Sequence, residues 1–223
     1  MPNWVQNIIH LDGSEENIKK VLSLVKSNES EFDFNLILPM PEELNITSSS
    51  NNDLAIMCYA SNKLSIPYAE TPRKWTRFIH NFFDLNFAET VYGRLKDRDD
   101  LDELYELGKK CCSNIEKYGY VDWYNWRIHH WGTKWSADGV FVEDNVIEFQ
   151  TAWSCPDGIL NEFAKICKLL NVTFEGWYAD ENRGYNTGYF NSEIGIIPNE
   201  DASYEAIETY NRCWGEVDYE DEM

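Results

Sequence analysis

The sequence predicts an α+β fold in which one antiparallel sheet is backed by helices. An apolar strand pattern followed by a helical pattern opens the chain, and the same succession returns in its C-terminal half. Between them, residues 120–153 contain five of the nine tryptophans, mixed with β-branched residues that suit a half-buried pleated surface. Two such units side by side make one sheet covered by helices.

The N-terminal unit is predicted from three segments. Val5–Leu11 (VQNIIHL) reads as a first strand that ends at Asp12 and Gly13. Ser14 is a helix N-cap, and apolar residues follow it at helical spacing. Phe32–Leu38 (FDFNLIL), ended by prolines, is predicted to be a second strand. Strand, helix and strand within about forty residues are typical of half of a split βαβ unit.

The middle of the chain is predicted to change from loop to helix. Residues 42–62 are polar and contain a Ser-Ser-Ser-Asn-Asn run, which predicts a loop. Residues 71–118 show apolar side chains three or four apart on both sides of a charged KDRDD linker. We therefore expect a helical insertion over about 70–118.

Strands are predicted again in the second half. They are placed near Trp126–Trp131, at Val140–Val142 and at Val146–Trp153, with a turn at Ser136–Gly139. A helix is expected to open at Cys155-Pro156-Asp157-Gly158 and to end at Asn171. Its predicted buried stripe is Ile159, Phe163, Ile166, Leu169 and Leu170.

The C-terminal segments complete this unit. Val172–Ala179 and Gly188–Ile197 are predicted to be antiparallel strands, and a helix is expected from about residue 207. The chain ends in EVDYEDEM, an acidic segment typical of a disordered or partner-binding tail. We expect one domain over 1–215 and an acidic tail over 216–223.

The motif Trp131-Gly132-Thr133-Lys134-Trp135 stands at the centre of the tryptophan-rich stretch. Glycine between bulky residues predicts a bulge or a positive φ. One interpretation is a core corner where two indoles cover the end of the sheet. The other is an exposed aromatic platform, with the Lys134 ammonium beside it, that stacks a ring and attracts a phosphate.

This motif, with the opening Met1-Pro2-Asn3-Trp4 and Asn7, resembles the plasmid and phage proteins that carry a YubB-type ferredoxin-like domain. The resemblance covers the N-terminal strand and about Tyr120–Phe190, and does not extend over Asp53–Arg98. It implies a ferredoxin-like fold and an origin in a mobile element. It brings no established activity and no catalytic residues.

Charge restricts the partners that we expect. The formal net charge is −20, with 39 acidic residues against 19 basic ones, which disfavours direct binding to nucleic acid or to anionic membranes. This charge either serves solubility alone or imitates a phosphate backbone and occupies the nucleic-acid groove of a basic host protein. No apolar run reaches membrane-spanning length, no signal peptide is recognised, and we expect a cytoplasmic protein.

Motifs for catalysis are weak. His129 and His130 are the candidate general bases of a hydrolase, although adjacent strand residues point to opposite faces. The six cysteines form no CxxC pair and are expected to be free thiols, and neither a metal site nor a cofactor is predicted. There is no P-loop, GxGxxG or GxSxG sequence. We assign no catalytic residues and do not favour an enzyme.

The function predicted from the sequence is therefore non-enzymatic: inhibition of a host protein, for example one of the nucleic-acid-directed defence systems, by an acidic mobile-element protein. The alternative is a cleft that binds a nucleotide or another ring-bearing small molecule. Its candidate residues are Trp131, Lys134, Trp135, Trp177, Tyr178 and Arg183.

Overall fold

Strand β1 (Trp4–Asp12) lies in the interior of a six-stranded antiparallel sheet. The sheet has the order β2-β3-β1-β4-β5-β6, and the other strands are β2 (Asp138–Glu143), β3 (Val146–Ala152), β4 (Thr173–Asp180), β5 (Thr187–Asn191) and β6 (Gly195–Pro198). This is a computed structural model, and it describes residues 3–63, 95 and 97–215.

The helices of the described residues are, in sequence order, α1 (Glu15–Val25), α2 (Phe34–Ile37), α3 (Ser50–Lys63), α4 (Leu101–Tyr118), α5 (Trp123–His130), α6 (Asp157–Leu169) and α7 (Tyr204–Trp214), with a 3-10 helix at Glu42–Leu44. The order β1-α1-β2-β3-α6-β4, with β1 between β3 and β4, is the split βαβ arrangement of ferredoxin-like folds. The predicted α+β, ferredoxin-like fold class is confirmed.

The chain divides into two compact units. The first comprises Met1–Pro39 and Arg127–Met223 and contains the whole sheet, and the second is Met40–Trp126. The described part of the predicted insertion, α4, belongs to the second unit. Residues 64–94 and the acidic tail 216–223 lie outside the described residues, and the boundaries predicted for the domain, the insertion and the tail stay predictions.

In the first unit, apolar side chains pack on both faces of the sheet, because successive residues of a strand point to opposite faces. Val5 and Ile9 of β1 point to one face. There the ring centroid of Phe32 lies 5.1 Å from that of Phe149 and 5.1 Å from that of Phe163. Ile8 points to the other face, where Ala179 and Cys213 of α7 complete a smaller cluster. Helix α6 contacts β4 and β6 on the first face, and α7 contacts β1, β4 and β5 on the second.

Two predicted strands are helices. The Phe32–Leu38 strand is wrong: the Asp33 side chain accepts a hydrogen bond from the Asn35 N–H at 2.9 Å and begins α2, which still buries Phe34. The Trp126–Trp131 strand is also wrong. Its tryptophans lie on and just beyond α5, and Asp122 accepts from the Tyr124 N–H at 3.0 Å near its start. In both places a capping carboxylate and tertiary packing outweigh aromatic strand propensity.

The predicted loop over 42–62 is wrong as well. In the second unit this segment forms the 3-10 helix and α3, whose side chains from Ala55 to Ala60 are buried against α4. Gly108 of α4 makes this close packing possible, since a Cβ there would lie 2.0 Å from the Ala55 carbonyl oxygen. Helix α4 confirms the helical prediction over Leu101–Tyr118 and ends at Gly119, with φ of +82°.

The C-terminal predictions need two corrections. Helix α6 begins at Asp157 as predicted, but Leu169 is 83% exposed, and the buried residues are Ile159, Leu160, Phe163 and Cys167. The predicted strand Gly188–Ile197 is two strands, β5 and β6, because a turn ending at Gly195, with φ of +77°, reverses the chain. Among the described helices, none combines the length and apolarity that crossing a membrane requires.

Candidate functional site

Trp131 follows directly after α5 and is fully buried. Its indole Nε1 donates to the Leu38 carbonyl oxygen at 2.9 Å, and its ring meets Phe34 edge to face, with centroids 5.7 Å apart. The Arg127 guanidinium lies 4.5 Å from the ring centroid. Trp131 therefore anchors the core, as the first interpretation of the motif predicts for this indole, and is closed to a ligand.

Gly132 redirects the chain from this core to the surface. Its φ of +82° confirms the predicted positive φ. A Cβ at this position would lie 2.0 Å from Asp157 Oδ1, so the start of α6 approaches the glycine too closely for a side chain. The next residues are thereby carried to the end of the sheet, where Lys134 and Trp135 are half-buried.

There, Trp4, Lys134, Trp135 and Trp153 form what we name the aromatic corner. The Lys134 ammonium lies 4.5 Å from the Trp135 ring centroid and 5.0 Å from that of Trp153. Trp4 stands 6.0 Å from Trp135. Trp153 is 42% exposed, so this corner offers an indole face and a cation to solvent. Such a pair can stack a planar ring and attract an anionic group.

Backbone hydrogen bonds hold Trp153 at the corner. Its φ is +72°, which a bulky residue rarely adopts, and its N–H donates to the Asn3 carbonyl at 2.9 Å. The Asn186 side chain donates to the Trp153 carbonyl at 3.0 Å. A non-glycine residue kept in this conformation by its surroundings is a feature that concentrates at functional sites.

Beneath the corner, a buried polar chain fixes the turn between β3 and α6. The Asn7 side-chain amide donates to Thr151 Oγ1 at 2.9 Å, and Thr151 Oγ1 donates to the Ser154 carbonyl at 2.8 Å. Thr133 Oγ1 donates to the Ala152 carbonyl at 2.9 Å. Since all three side chains are almost fully buried, these bonds restrict the backbone on both sides of Trp153.

The remaining predicted ligand residues lie elsewhere in the first unit. Trp177 packs against His10, Tyr189 and Arg212, the last with its guanidinium carbon 4.1 Å from the ring centroid. Tyr178 points to the opposite face of β4, and burial raises the pKa of its hydroxyl far above the usual range. Arg183 is half-buried in the β4–β5 loop.

The structure thus brings Lys134 and Trp135 together and adds two residues that the sequence reasoning missed. Trp4 and Trp153 come to the corner because β1 pairs antiparallel with β3, with Trp4 opposite Ala152. A correct pairing of the two predicted strands would have found them. The register between these strands could not be chosen from the sequence, because no hairpin turn joins β1 to β3 and fixes it.

His129 and His130 are consecutive in the last turn of α5, with ring centroids 5.2 Å apart. Burial, followed by the neighbouring His129, lowers the pKa of His130 below its ordinary value. Within the described residues, no group of three His, Cys, Asp or Glu side chains could hold a metal ion. The histidines lie on a helix, so the opposite-face argument made for a strand does not apply to them.

All six cysteines are free and buried, as expected. Burial raises the pKa of Cys111 to about 11 and those of Cys167 and Cys213 to about 12. A thiol with such a pKa carries almost no thiolate at neutral pH. These side chains therefore pack as small apolar groups.

In the second unit, acidic side chains concentrate at the start of α4. Residues 97–106 read DRDDLDELYE, with six acidic residues and one basic residue. We name Asp102, Glu103 and Glu106 the acidic face, because all three are exposed on the side of α4 opposite the buried Leu104 and Gly108, with Glu106 four residues after Asp102 and three after Glu103. The Arg98 side chain is already paired with Asp100.

Comparisons with known proteins agree with the fold. A family model described as the ferredoxin-like domain in Api92-like protein matches residues 130–221. The chain is also similar to the crystal structure of the protein api92 from Yersinia pseudotuberculosis, with 9% identity and a TM-score of 0.40 over 92% of this chain and 100% of that one. No curated protein matches the sequence. A ferredoxin-like family is supported, and the YubB-type resemblance stays a prediction.

Proposed function

We propose that this protein is a non-enzymatic binding protein whose acidic face occupies the basic, nucleic-acid-contacting surface of a host protein. The resemblance noted in the sequence leads us to place it in a mobile element, acting in the cytoplasm of the host. Its effect would be inhibition, because the partner cannot hold nucleic acid and this protein on the same surface.

The acidic face is the observation that carries this proposal. The dipole of α4 stabilises carboxylates in the first turn, which accounts for Asp102 and Glu103. Glu106, one turn further along, lies 3.7 Å from the Lys109 ammonium, but both side chains are exposed and such surface pairs contribute about 0 to 1 kcal/mol, so Glu106 can exchange this partner. Asp97 and Asp99 extend the same charge ahead of the helix and are exposed. A helix that presents several carboxylates on one side can pair with the Lys and Arg side chains of a nucleic-acid groove.

Charge on the whole chain favours the same partner. A net charge of −20 accelerates encounter with a basic protein and slows encounter with nucleic acid. Since exposed charges are screened over about 10 Å at 0.1 M salt, the proposed complex weakens steeply as salt is added.

The experiment uses the full chain immobilised on a resin and a nuclease-treated lysate of the natural host. We expect basic nucleic-acid-binding proteins to be retained and to be released by duplex DNA or by added salt. The variant D102N/E103Q/E106Q should lose this retention. The matched control is E29Q/E200Q/E208Q, which removes three exposed carboxylates from the first unit and should retain the same proteins.

Equal retention by both triple variants would contradict the proposal, as would a complex that neither salt nor DNA disturbs. Far-ultraviolet circular dichroism of both variants shows whether each is folded. Because the substituted side chains, such as Asp102, Glu103 and Glu106, are exposed, we expect both variants to fold.

A second candidate function is supported by the aromatic corner. Trp153 is 42% exposed beside the Lys134 ammonium, an arrangement that suits a nucleotide or another anionic ring compound. Tryptophan fluorescence is titrated with a panel of mononucleotides, using the wild-type chain and W153L. Quenching that saturates in the wild type and disappears in W153L supports the candidate, and a flat wild-type response contradicts it.

A further inference from the structure

We propose that strand β6 and helix α6 form a docking groove for an extended peptide segment of a partner protein, whose groove-facing side chains include both apolar residues and carboxylates. This surface belongs to the first unit and is separate from both the acidic face and the aromatic corner. It uses other residues and the opposite local charge, so it stands or fails independently of the proposed function.

The first observation is that β6 lies at the edge of the sheet, and its pairing with β5 determines which of its N–H and C=O groups point outward. The Asn199 N–H donates to the Thr187 carbonyl at 2.9 Å, so these two residues form a hydrogen-bonded pair. The pair formed by Ile197 and Tyr189 lies two positions away along the ladder. In an antiparallel ladder, hydrogen-bonded and non-hydrogen-bonded pairs alternate. Ile196, opposite Phe190, is therefore in a non-hydrogen-bonded pair, and its N–H and C=O point away from β5 towards the open edge.

The second observation is a groove beside this edge. It has a volume of about 460 Å³ and runs between α6 and the β5–β6 hairpin. Its apolar lining includes Leu160, Ala164, Phe190 and Ile196. Because Ile196 shares a face with Phe190, a strand added along β6 directs every second side chain towards this groove. The added segment therefore obtains backbone pairing from the edge and side-chain contacts from the groove.

The third observation is the exposed apolar surface around the edge. Ile194 is 60% exposed at the hairpin turn, and Ile197 is 47% exposed on the other face of β6. Proteins usually protect edge strands with charged residues, prolines or short length. Here Pro198 ends β6 and limits an added ladder to a few hydrogen bonds. Most of the affinity must therefore come from side-chain contacts. Such contacts favour a segment of particular sequence over any extended chain.

The charge of the groove identifies the partner. Lys165 and Lys168 line it, and Glu193 is its one acidic lining residue, so the groove is positive on a chain with net charge −20. Lys165 is paired with Glu162 at 2.6 Å, but its side chain is 70% exposed, and such surface pairs contribute about 0 to 1 kcal/mol. Lys165 can therefore exchange this partner for a carboxylate of the incoming peptide.

A second copy of this chain fits the groove less well. Pairing of two β6 edges would join two molecules that each carry a charge of −20, and it would bring together two grooves of the same positive sign. A partner segment whose groove-facing residues, two positions apart along the strand, include both apolar side chains and carboxylates complements both the lysines and the groove floor.

The test is a selection of random eight-residue peptides on the immobilised full chain. We expect enriched sequences in which residues two positions apart include both apolar side chains and Asp or Glu, so that both kinds face the groove. A fluorescein-labelled enriched peptide is then titrated by anisotropy. The variant K165Q/K168Q should weaken its binding at least tenfold, whereas the control K19Q/K20Q, with the same charge change on α1, should leave it within twofold.

Backbone pairing is tested from both sides. Ile196→Pro removes the outward N–H and should abolish binding. If this variant does not fold, the selected peptide with N-methylated backbone amides provides the same test on the wild-type chain, and it should bind at least tenfold more weakly. Failure to enrich any peptide, enrichment of basic peptides, or a dimer of this chain that I196P dissociates would overturn the proposal.

Discussion

Trp131 and Trp153 differ in exposure, although both indoles lie within about 5 Å of a cationic side chain. Trp131 has no exposed surface, whereas Trp153 is 42% exposed. Arg127 lies 4.5 Å from the first ring and Lys134 lies 5.0 Å from the second. The first cation covers a core side chain, and the second stands at the surface.

The two indoles reach these positions by different backbone paths. Trp131 follows α5 into the core, and Gly132, at φ of +82°, turns only the residues after it towards the aromatic corner, whereas Trp153 follows directly after β3. Because the turn beyond β3 holds Trp153 by hydrogen bonds to its N–H and C=O, this indole stays at the surface without being packed. Two tryptophans that each lie beside a cationic side chain are thus one buried anchor and one partly exposed ring.

The largest expected effect comes from truncating each indole. Trp131→Ala removes a fully buried side chain and leaves a cavity, so we expect the free energy of unfolding to fall by about 3 to 5 kcal/mol. Trp153→Ala should cost less, about 1 to 2 kcal/mol, because 42% of this residue is already exposed and its removal leaves no closed cavity. Urea denaturation followed by circular dichroism measures both values.

The variant Trp131→Phe separates the contribution of the packed ring from that of the indole N–H. It keeps a ring in the core but removes the donor to the Leu38 carbonyl, so an intermediate loss is expected. Equal losses for the alanine variants at 131 and 153 would contradict the assignment of Trp131 as the anchor.

A smaller effect is expected at the glycine between Trp131 and Trp135. Gly132→Ala places a Cβ at positive φ and 2.0 Å from Asp157 Oδ1, and we expect a loss of about 2 kcal/mol or more. Gly139→Ala is the matched control, since its φ is +56° but no atom lies within 4 Å of the added Cβ. Its cost should be limited to the backbone term of about 1 kcal/mol. The same denaturation curves test whether the close contact, and not only φ, makes Gly132 necessary.

The sequence predicts the sheet better than the connections around it. Strands β1, β3 and β4 are recognisable because alternation and β-branched residues agree with their burial. The segments at 34–37 and 123–130 contain aromatic residues just as dense, and both are helical. Their outcome depends on a capping Asp in each case and on a core built from distant segments, and neither is visible in local propensity.

For the candidate site, the sequence identifies the motif but not its orientation. Residue types alone place Trp131 and Trp135 on one platform. The positive φ at Gly132 sends one indole inward and the other outward. Trp4 and Trp153 were not expected there because their approach depends on the register between β1 and β3, which pairs residues about 148 positions apart along the chain.

The smallest expected effect is the coupling between Lys134 and its exposed indole. Lys134→Met keeps most of the aliphatic stem and removes the charge, so only the cation–π attraction is lost. In a double-mutant cycle with Trp153→Leu, we expect a coupling of about 0.5 to 1 kcal/mol in the free energy of unfolding. Arg127→Met with Trp153→Leu is the control cycle, because Arg127 covers the other indole, and its coupling should be near zero. If the Lys134 cycle also gives no coupling, the ammonium does not rest on Trp153 in solution, and the corner then presents an indole without its cation to any ligand.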